Sequence, residues 1–501
     1  MRRVDLLKRM SFGVQVAEDE VNELASYFVE TNQWGRIAKG EIDIVRGEKG
    51  SGKSAIYSLL MTRQGDFFDQ RILLVAAENP RGATVFRDLV ADPPTTENEF
   101  IALWKIYALT IVAQQLLEYD IRGKNVEKVY RSLEDAGLLE RDFSLAGLLR
   151  VAHDYVRRIV RAESVEGGLA IDPTTQMLTG ITGKIVLREP SGDLRDRGYL
   201  TVDRLFAYLD DALIENDLKV WVLLDRLDVA FVENHSLDAN ALRALIRAYS
   251  DVKHRDQISL KIFLREDIWK RITEAGMREA SHLIRYVILD WTQPALLNLI
   301  MRRLLNNGAL LEEFGIDRAA ILESADQQEA LFYRFFPSQV EQGPQKASTF
   351  KWLVTRCADG TGKTAPRELI HLLNCILEQE IKRLEQGGAP TNGDQLFDRS
   401  VFKLALPTVS DARLNQYLYA EYPTERPFVA RLDGQKTEQT LESLSDLWGI
   451  SHESALAKAK ELVELGLFEQ RGTKDQPTFW VPFLYRDALH LVQGRAEPDD
   501  Q

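Results

Sequence analysis

Gly47-Glu48-Lys49-Gly50-Ser51-Gly52-Lys53-Ser54 fits the spacing GxxxxGK[ST] without a gap. Before it, EIDIVR (41–46) is a short apolar run; after it, AIYSLLM (55–61) has helical spacing. The local order is therefore strand, loop, helix. Glycines let consecutive backbone N–H groups turn inward around phosphate oxygens, and the following helix aims its positive N-terminus at the same anion. In that pattern Lys53 reaches the β- and γ-phosphates and the Ser54 hydroxyl ligates Mg²⁺. A chance match in a chain this long has a probability on the order of one in a hundred from average residue usage. The candidate cradle for ATP and Mg²⁺ is thus Gly47, Glu48, Lys49, Gly50, Ser51, Gly52, Lys53, Ser54 and Ala55. No base-reading motif separates ATP from GTP.

A second acidic signal stands in VWVLLDRLD (220–228). An apolar strand ending in Asp225 places a carboxylate beside the Mg²⁺ coordination sphere, the Walker B arrangement. A Glu in the next position would polarise water, but this chain has Arg226. Asp228 is the nearest alternative carboxylate, with Glu233 further on, so hydrolysis is expected either to be slow or to be driven by a residue that the sequence does not single out. Two arginines complete the candidate set. Arg265 follows SLKIFL (259–264) at the edge where open α/β sheets bind ligands; it either meets the γ-phosphate or pairs with Glu266 or Asp267 on the surface. Arg367, after Pro366 at a helix start, either reports nucleotide state or is simply solvated. Lys53, Asp225, Asp228, Arg265 and Arg367 are the catalytic candidates, with Ser54 and Asp225 as metal ligands. The seven histidines show no metal-ligand spacing.

Working outward, EIDIVR, RILLVAA (71–77), KVWVLL (219–224), SLKIFL and RYVIL (285–289) are compact apolar runs separated by helical or polar sequence. That alternation predicts an α/β fold, a P-loop core with a parallel sheet. Residues 98–162 have helical patterning. Residues 164–200, rich in Gly and Pro around β-prone pieces such as KIVL, read as an inserted hairpin or loop. Residues 1–290 then form the core, and 291–385 a helical lid. EQGGAPTNGDQ (385–395) is the clearest linker. Within 396–493, TEQTLESLSDLWG and SHESALAKAKELVELG read as two helices, and LFEQRG and TFWVPF as strands. Helix, turn, helix and β-wing make a winged-helix pattern.

With 501 residues the chain has room for two to four domains. Its 63 Lys plus Arg against 76 Asp plus Glu, net −13, exclude a nucleic-acid coat. Two cysteines, Cys357 and Cys375, exclude a disulfide framework and a Cys-rich zinc site and fit a reducing cytoplasm. The N-terminus lacks a signal peptide's apolar core. The most membrane-like stretch, 100–117, is interrupted by Lys105, Gln114 and Gln115 and reads as a buried helix.

GEKGSGKS, LLDRLD, FLRED and TAPRELIHLLN, in that order and with a lid and winged helix behind, resemble the AAA+/STAND branch of P-loop ATPases. Phe12-Gly13, followed by Ala17-Glu18-Asp19-Glu20, is similar to the segment that lies near the adenine in such proteins. FLREDIWKRI, REASH and ENEFIALWK look closer still to a bacterial P-loop ATPase family often met near phage-defence genes. The resemblance implies phosphate binding by Gly52, Lys53, Ser54 and Ala55, Mg²⁺ binding by Asp225, a sensor-strand arginine in Arg265 and a lid sensor arginine in Arg367. It also implies a switch between a closed monomer and an open or oligomeric form.

Two functions are weighed, beside a bland third, a nucleotide-binding scaffold with no turnover. One is a nucleotide-controlled switch that self-assembles and acts through a separate protein effector in antiviral defence, since no nuclease, deaminase or protease motif stands out. The alternative is a DNA-acting ATPase resembling replication initiators or loaders. Residues 431–489 carry seven Lys plus Arg against ten Asp plus Glu, a net of −3. Duplex affinity rests on phosphate neutralisation. A protein-facing winged helix is favoured, with nucleic acid a less favoured trigger and no membrane partner.

Overall fold

All five apolar runs become strands of one parallel sheet. The structure, a computed structural model, describes residues 2–15, 20–78, 94, 96–139, 144–164, 184–187, 189–227, 235–274, 276–277 and 281–496. The sheet is built from β1 (Ile44–Gly47), β2 (Ile72–Ala76), β5 (Lys219–Leu224), β6 (Ile258–Arg265) and β7 (Tyr286–Ile288), in the order β2-β5-β6-β1-β7. The middle strands are buried along almost their whole length. That burial is why their sequences are continuous apolar runs rather than alternating ones. Register is regular: Ala76 lies opposite Leu223, Leu224 opposite Ile262, and Gly47 opposite Arg265.

By contact the chain divides into two units. One comprises Asn32–Glu48 and Lys53–Leu289 and contains this sheet. Its longest helix, Glu97–Glu118, has an apolar window of mean hydropathy 1.5, long enough to cross a membrane, and 78% of that window is buried. It packs as a core helix. Thr96 caps it through the Glu99 N–H, Trp104 Nε1 donates to the Ala241 carbonyl at 2.9 Å, and Lys105 Nζ pairs with Asp203 and Asp251. A polar knot anchors the sheet where β1 begins. Lys261, 1% exposed in the middle of β6, donates to Asp43 Oδ1 (2.8 Å) and the Ile42 carbonyl (2.7 Å). Tyr249 Oη and Arg285 Nε donate to Asp43 Oδ2 at 3.0 and 2.7 Å.

The described part of the 164–200 insertion is not a hairpin. β3 (Ile185–Val186) and β4 (Leu200–Thr201) pair in parallel, with the helix Gly192–Asp196 between them. Parallel strands need such a crossover. Residues 165–183 and 188, with most of the insertion's glycines, lie outside the described residues.

The other unit comprises Met1–Thr31, Lys49–Gly52 and Asp290–Gln501. Helices Gln293–Leu304, Ala325–Phe335, Thr349–Cys357 and Pro366–Glu385 supply most of the lid expected from sequence. EQGGAPTNGDQ does not act as a linker between two cores. Phe397 and Phe402 beyond it share one apolar cluster with Phe335 and Phe336 before it. Its backbone is held too: Leu396 N–H donates to the Phe335 carbonyl, and Arg383 Nη1 to the Ala389 carbonyl. A second correction concerns TEQTLESLSDLWG. Its first four residues belong to a strand, β8 (Lys436–Thr440), in which Thr437 and Gln439 point inward and are each 2% exposed. The helix Leu441–Trp448 starts only after the Thr440–Ser443 capping box. The helix His452–Glu464 follows, then an antiparallel pair, β9 (Glu469–Gly472) and β10 (Pro477–Trp480). β10 pairs antiparallel with β8, and β11 (Val492–Arg495) joins β8's other edge in parallel.

Candidate functional site

β1 ends at Gly47, at the C-terminal edge of the sheet, and the chain turns through a loop into the helix Lys53–Thr62. The turn needs glycine at two places. Gly50 has φ +83° and Gly52 φ +101°, values that side chains with a Cβ rarely adopt. Lys53 Nζ donates to the carbonyls of Gly47 (2.8 Å) and Glu48 (2.9 Å), so the ammonium is held against the loop's own backbone. A phosphate oxygen is a stronger, charge-assisted partner for the same donor. Ser54 is the second residue of that helix, among the N–H groups without intrahelical acceptors.

Asp225 is the first residue past β5 and is 4% exposed. Tyr57, one turn beyond Ser54, reports on its position. Burial raises the Tyr57 hydroxyl above its ordinary range first, and the carboxylates of Asp225 and Glu78 raise it further while Arg226 opposes them. Asp225 therefore lies within electrostatic reach of the first turns of the loop's helix. A hydroxyl and a carboxylate are the oxygen donors Mg²⁺ prefers, so Ser54 and Asp225 fit that ion. Arg226 itself has φ +56°, left-handed backbone in a residue that is not glycine.

Arg265 is buried, 6% exposed, contrary to the expectation of a surface residue if it paired locally. It does pair locally, as a fork onto Asp267 with Nε–Oδ1 3.1 Å and Nη2–Oδ2 2.9 Å. Glu266 instead takes Arg46, at 2.6 and 3.0 Å. Arg265 stands abreast of Gly47 at the sheet edge, but a phosphate would have to share its guanidinium with Asp267. Asp228 and Glu233 lie outside the described residues, as do Ala17, Glu18 and Asp19. Sequence reading missed Glu78. It is fully buried at 0% exposure and lies two residues past the end of β2, and a carboxylate closing an apolar run was the signal available for it.

In the unit that holds the loop tip, Lys49–Gly52, Trp291 Nε1 donates to the Ser51 carbonyl at 2.8 Å. A Cβ at Gly50 would come 3.0 Å from the Cβ of Arg367. Arg367 occupies the first turn of the helix Pro366–Glu385, and its Nε is buried without a hydrogen-bond partner among the described residues. Lys49 pairs with Glu421 and lies over the Tyr417 ring. In the same unit Arg303 forks onto Glu20 and donates to the Phe12 carbonyl, while Asn374 brackets Phe12 and Gly13. Gly50→Ala combines left-handed strain, roughly 1–2 kcal/mol, with a crowded methyl. We expect about tenfold weaker Mg-ATP binding by fluorescence titration, with an unchanged circular dichroism spectrum.

A strand, a glycine-turned GEKGSGKS loop and a helix, with Asp225 at the tip of a strand separated from β1 only by β6, decide the architecture. This is a P-loop NTPase fold, an α/β core on a parallel sheet. Among solved structures the chain is similar to a Walker-type ATPase of Pyrococcus abyssi, with 10% identity and a TM-score of 0.39 over 93% of this chain and 96% of that one. It is also similar to the ORC2 protein of Aeropyrum pernix. The ADP form gives 11% identity and a TM-score of 0.30 over 95% and 91% of the two chains. The ADPNP–ADP complexes give 12% and 0.28 over 91% and 90%. No family model and no curated protein matches the sequence.

Proposed function

We propose that the chain is an ATP- and Mg²⁺-dependent ATPase of slow turnover that works as a nucleotide-controlled switch of conformation and self-association. The observation that carries this reading is the company kept by the loop tip. Lys49 pairs with Glu421, Gly50 packs on Arg367 and Ser51 is bonded by Trp291, so a nucleotide that reshapes the loop disturbs all three. Lys53 would hold the β- and γ-phosphates, Ser54 and Asp225 would hold Mg²⁺, and Arg367 would answer the γ-phosphate. When bound, Mg²⁺ neutralises charge developing on the phosphates. Resemblance of FLREDIWKRI and ENEFIALWK to defence-associated ATPases supports placing such a switch in bacterial antiviral defence, with the toxic chemistry on a separate effector.

The DNA-acting reading keeps one support, the helix–turn–helix with its β9–β10 wing. Charge argues against it. Lys458, on the second helix, is tied to Glu425 (2.9 Å) and Glu461, and Arg471 on the wing to Glu469 (2.8 Å). Cations already paired release fewer counterions on meeting a phosphate backbone. Small-angle scattering with and without Mg-ATP tests the preferred reading. Wild type is expected to change dimensions. Lys49→Ala should bind Mg-ATP within about threefold, because what it loses is the pair with Glu421 and the contact over the Tyr417 ring, yet respond less. Unchanged dimensions together with duplex-stimulated phosphate release would favour the DNA-acting reading.

A further inference from the structure

Arg226 occupies the position where a water-polarising carboxylate is expected, yet a buried carboxylate stands one strand away. β2 and β5 run parallel and in register, Ala76 opposite Leu223, and the pairing continues through an Ala77 N–H bond to the Leu223 carbonyl at 2.9 Å. Extended by two residues, the same register sets Glu78 against Asp225 at this edge of the sheet. Its backbone is pinned from both sides. The Tyr57 hydroxyl donates to the Glu78 carbonyl at 2.6 Å, and the Tyr107 hydroxyl to the Ala77 carbonyl at 2.7 Å. Tyr57 belongs to the helix that begins with Lys53 and Ser54, and Tyr107 to the core helix Glu97–Glu118. Glu78 is therefore carried on rigid elements, which is what a group that must orient a water requires.

We propose that Glu78 is the general base for ATP hydrolysis, supplying from the β2 tip the carboxylate that Arg226 lacks. The role presupposes ATP turnover at the GEKGSGKS loop. The water oxygen bonds to the γ-phosphorus, and the bond from that phosphorus to the β-bridging oxygen breaks with its electron pair leaving on ADP. The water's proton passes to the Glu78 carboxylate and from there to the departing phosphate. Lys53 neutralises charge on the phosphates. Asp225, abreast of Glu78, keeps the metal-binding role, so two carboxylates on adjacent strands divide the work.

The test compares wild type, Glu78→Gln, Glu78→Asp and Asp228→Asn in two assays, binding of a fluorescent ATP analogue with Mg²⁺ and phosphate release under single turnover. General bases contribute about 10²–10⁴-fold. Glu78→Gln is expected to keep analogue affinity within about threefold while phosphate release falls at least about 100-fold, with Glu78→Asp between the two. A purely structural residue would instead lower melting temperature and affinity together. Phosphate release by Glu78→Gln near the wild-type rate, or loss confined to Asp228→Asn, would overturn the assignment. A wild type that binds the analogue without releasing phosphate would overturn the ATPase reading itself, a separate observable.

Discussion

Lys53→Ala is expected to abolish Mg-ATP turnover, with kcat/KM falling at least about 100-fold, the order of loss seen when a charge-stabilising donor is removed from a transition state. The reason lies in what the ammonium touches. Lys53 Nζ is held by the Gly47 and Glu48 carbonyls, against the loop that would carry the phosphates. Removing it takes away the loop's point charge while leaving the glycine turns and the helix N-terminus in place. Losing the bonds to these two backbone carbonyls should itself cost only about 1 kcal/mol. Phosphate release and a thermal melt, measured on the same preparation, separate the two effects. Loss of activity with an intact melt is the expected pattern. A variant with wild-type turnover would remove the loop from the chemistry.

Asp43→Ala carries the largest expected effect on stability. Asp43 is 3% exposed and accepts from Lys261, Tyr249 and Arg285; without it the Lys261 ammonium is left inside the sheet facing the Ile42 carbonyl and the Trp221 ring. Breaking a buried pair on one side costs about 3–5 kcal/mol. At about 2–4 °C per kcal/mol for a unit of this size, the melting temperature should fall by roughly 10 °C. A pH dependence follows. Burial lowers the Lys261 ammonium below its ordinary value, with Asp43 opposing that shift, so losing Asp43 lowers it further. In the variant the unfolded chain binds a proton at Lys261 that the folded chain gives up. Stability should therefore rise with pH between the lowered folded value and the unfolded value near 10.4, and more steeply than in wild type. Melts at pH 7.5, 8.5 and 9.5 check the sign. A variant melting within about 2 °C of wild type would mean that the knot is not what holds the start of β1.

How much of this was legible in sequence varies with the physics of each part. The five core strands were readable because burial on both faces leaves no polar positions, so KVWVLL and SLKIFL declare themselves. The phosphate loop was readable because its glycines and lysine are dictated by a ligand rather than by neighbours. β8 was not, because KTEQT is polar throughout and its Thr437 and Gln439 are buried by partners, β10 and β11, that come forty or more residues later. The grouping of Lys49–Gly52 with residues beyond Asp290 is equally invisible, since it rests on contacts such as Lys49–Glu421 that no local pattern encodes. Glu78 lay in plain view at the end of RILLVAA. Only the β2–β5 register, which no local pattern encodes, relates it to Asp225.

Light scattering coupled to size exclusion, on wild type and Lys53→Ala with and without Mg-ATP, tests the switch most directly. An ATP-dependent rise in wild-type mass, absent in Lys53→Ala, is the expected result. A mass that ATP leaves unchanged in both chains would contradict nucleotide-controlled self-association.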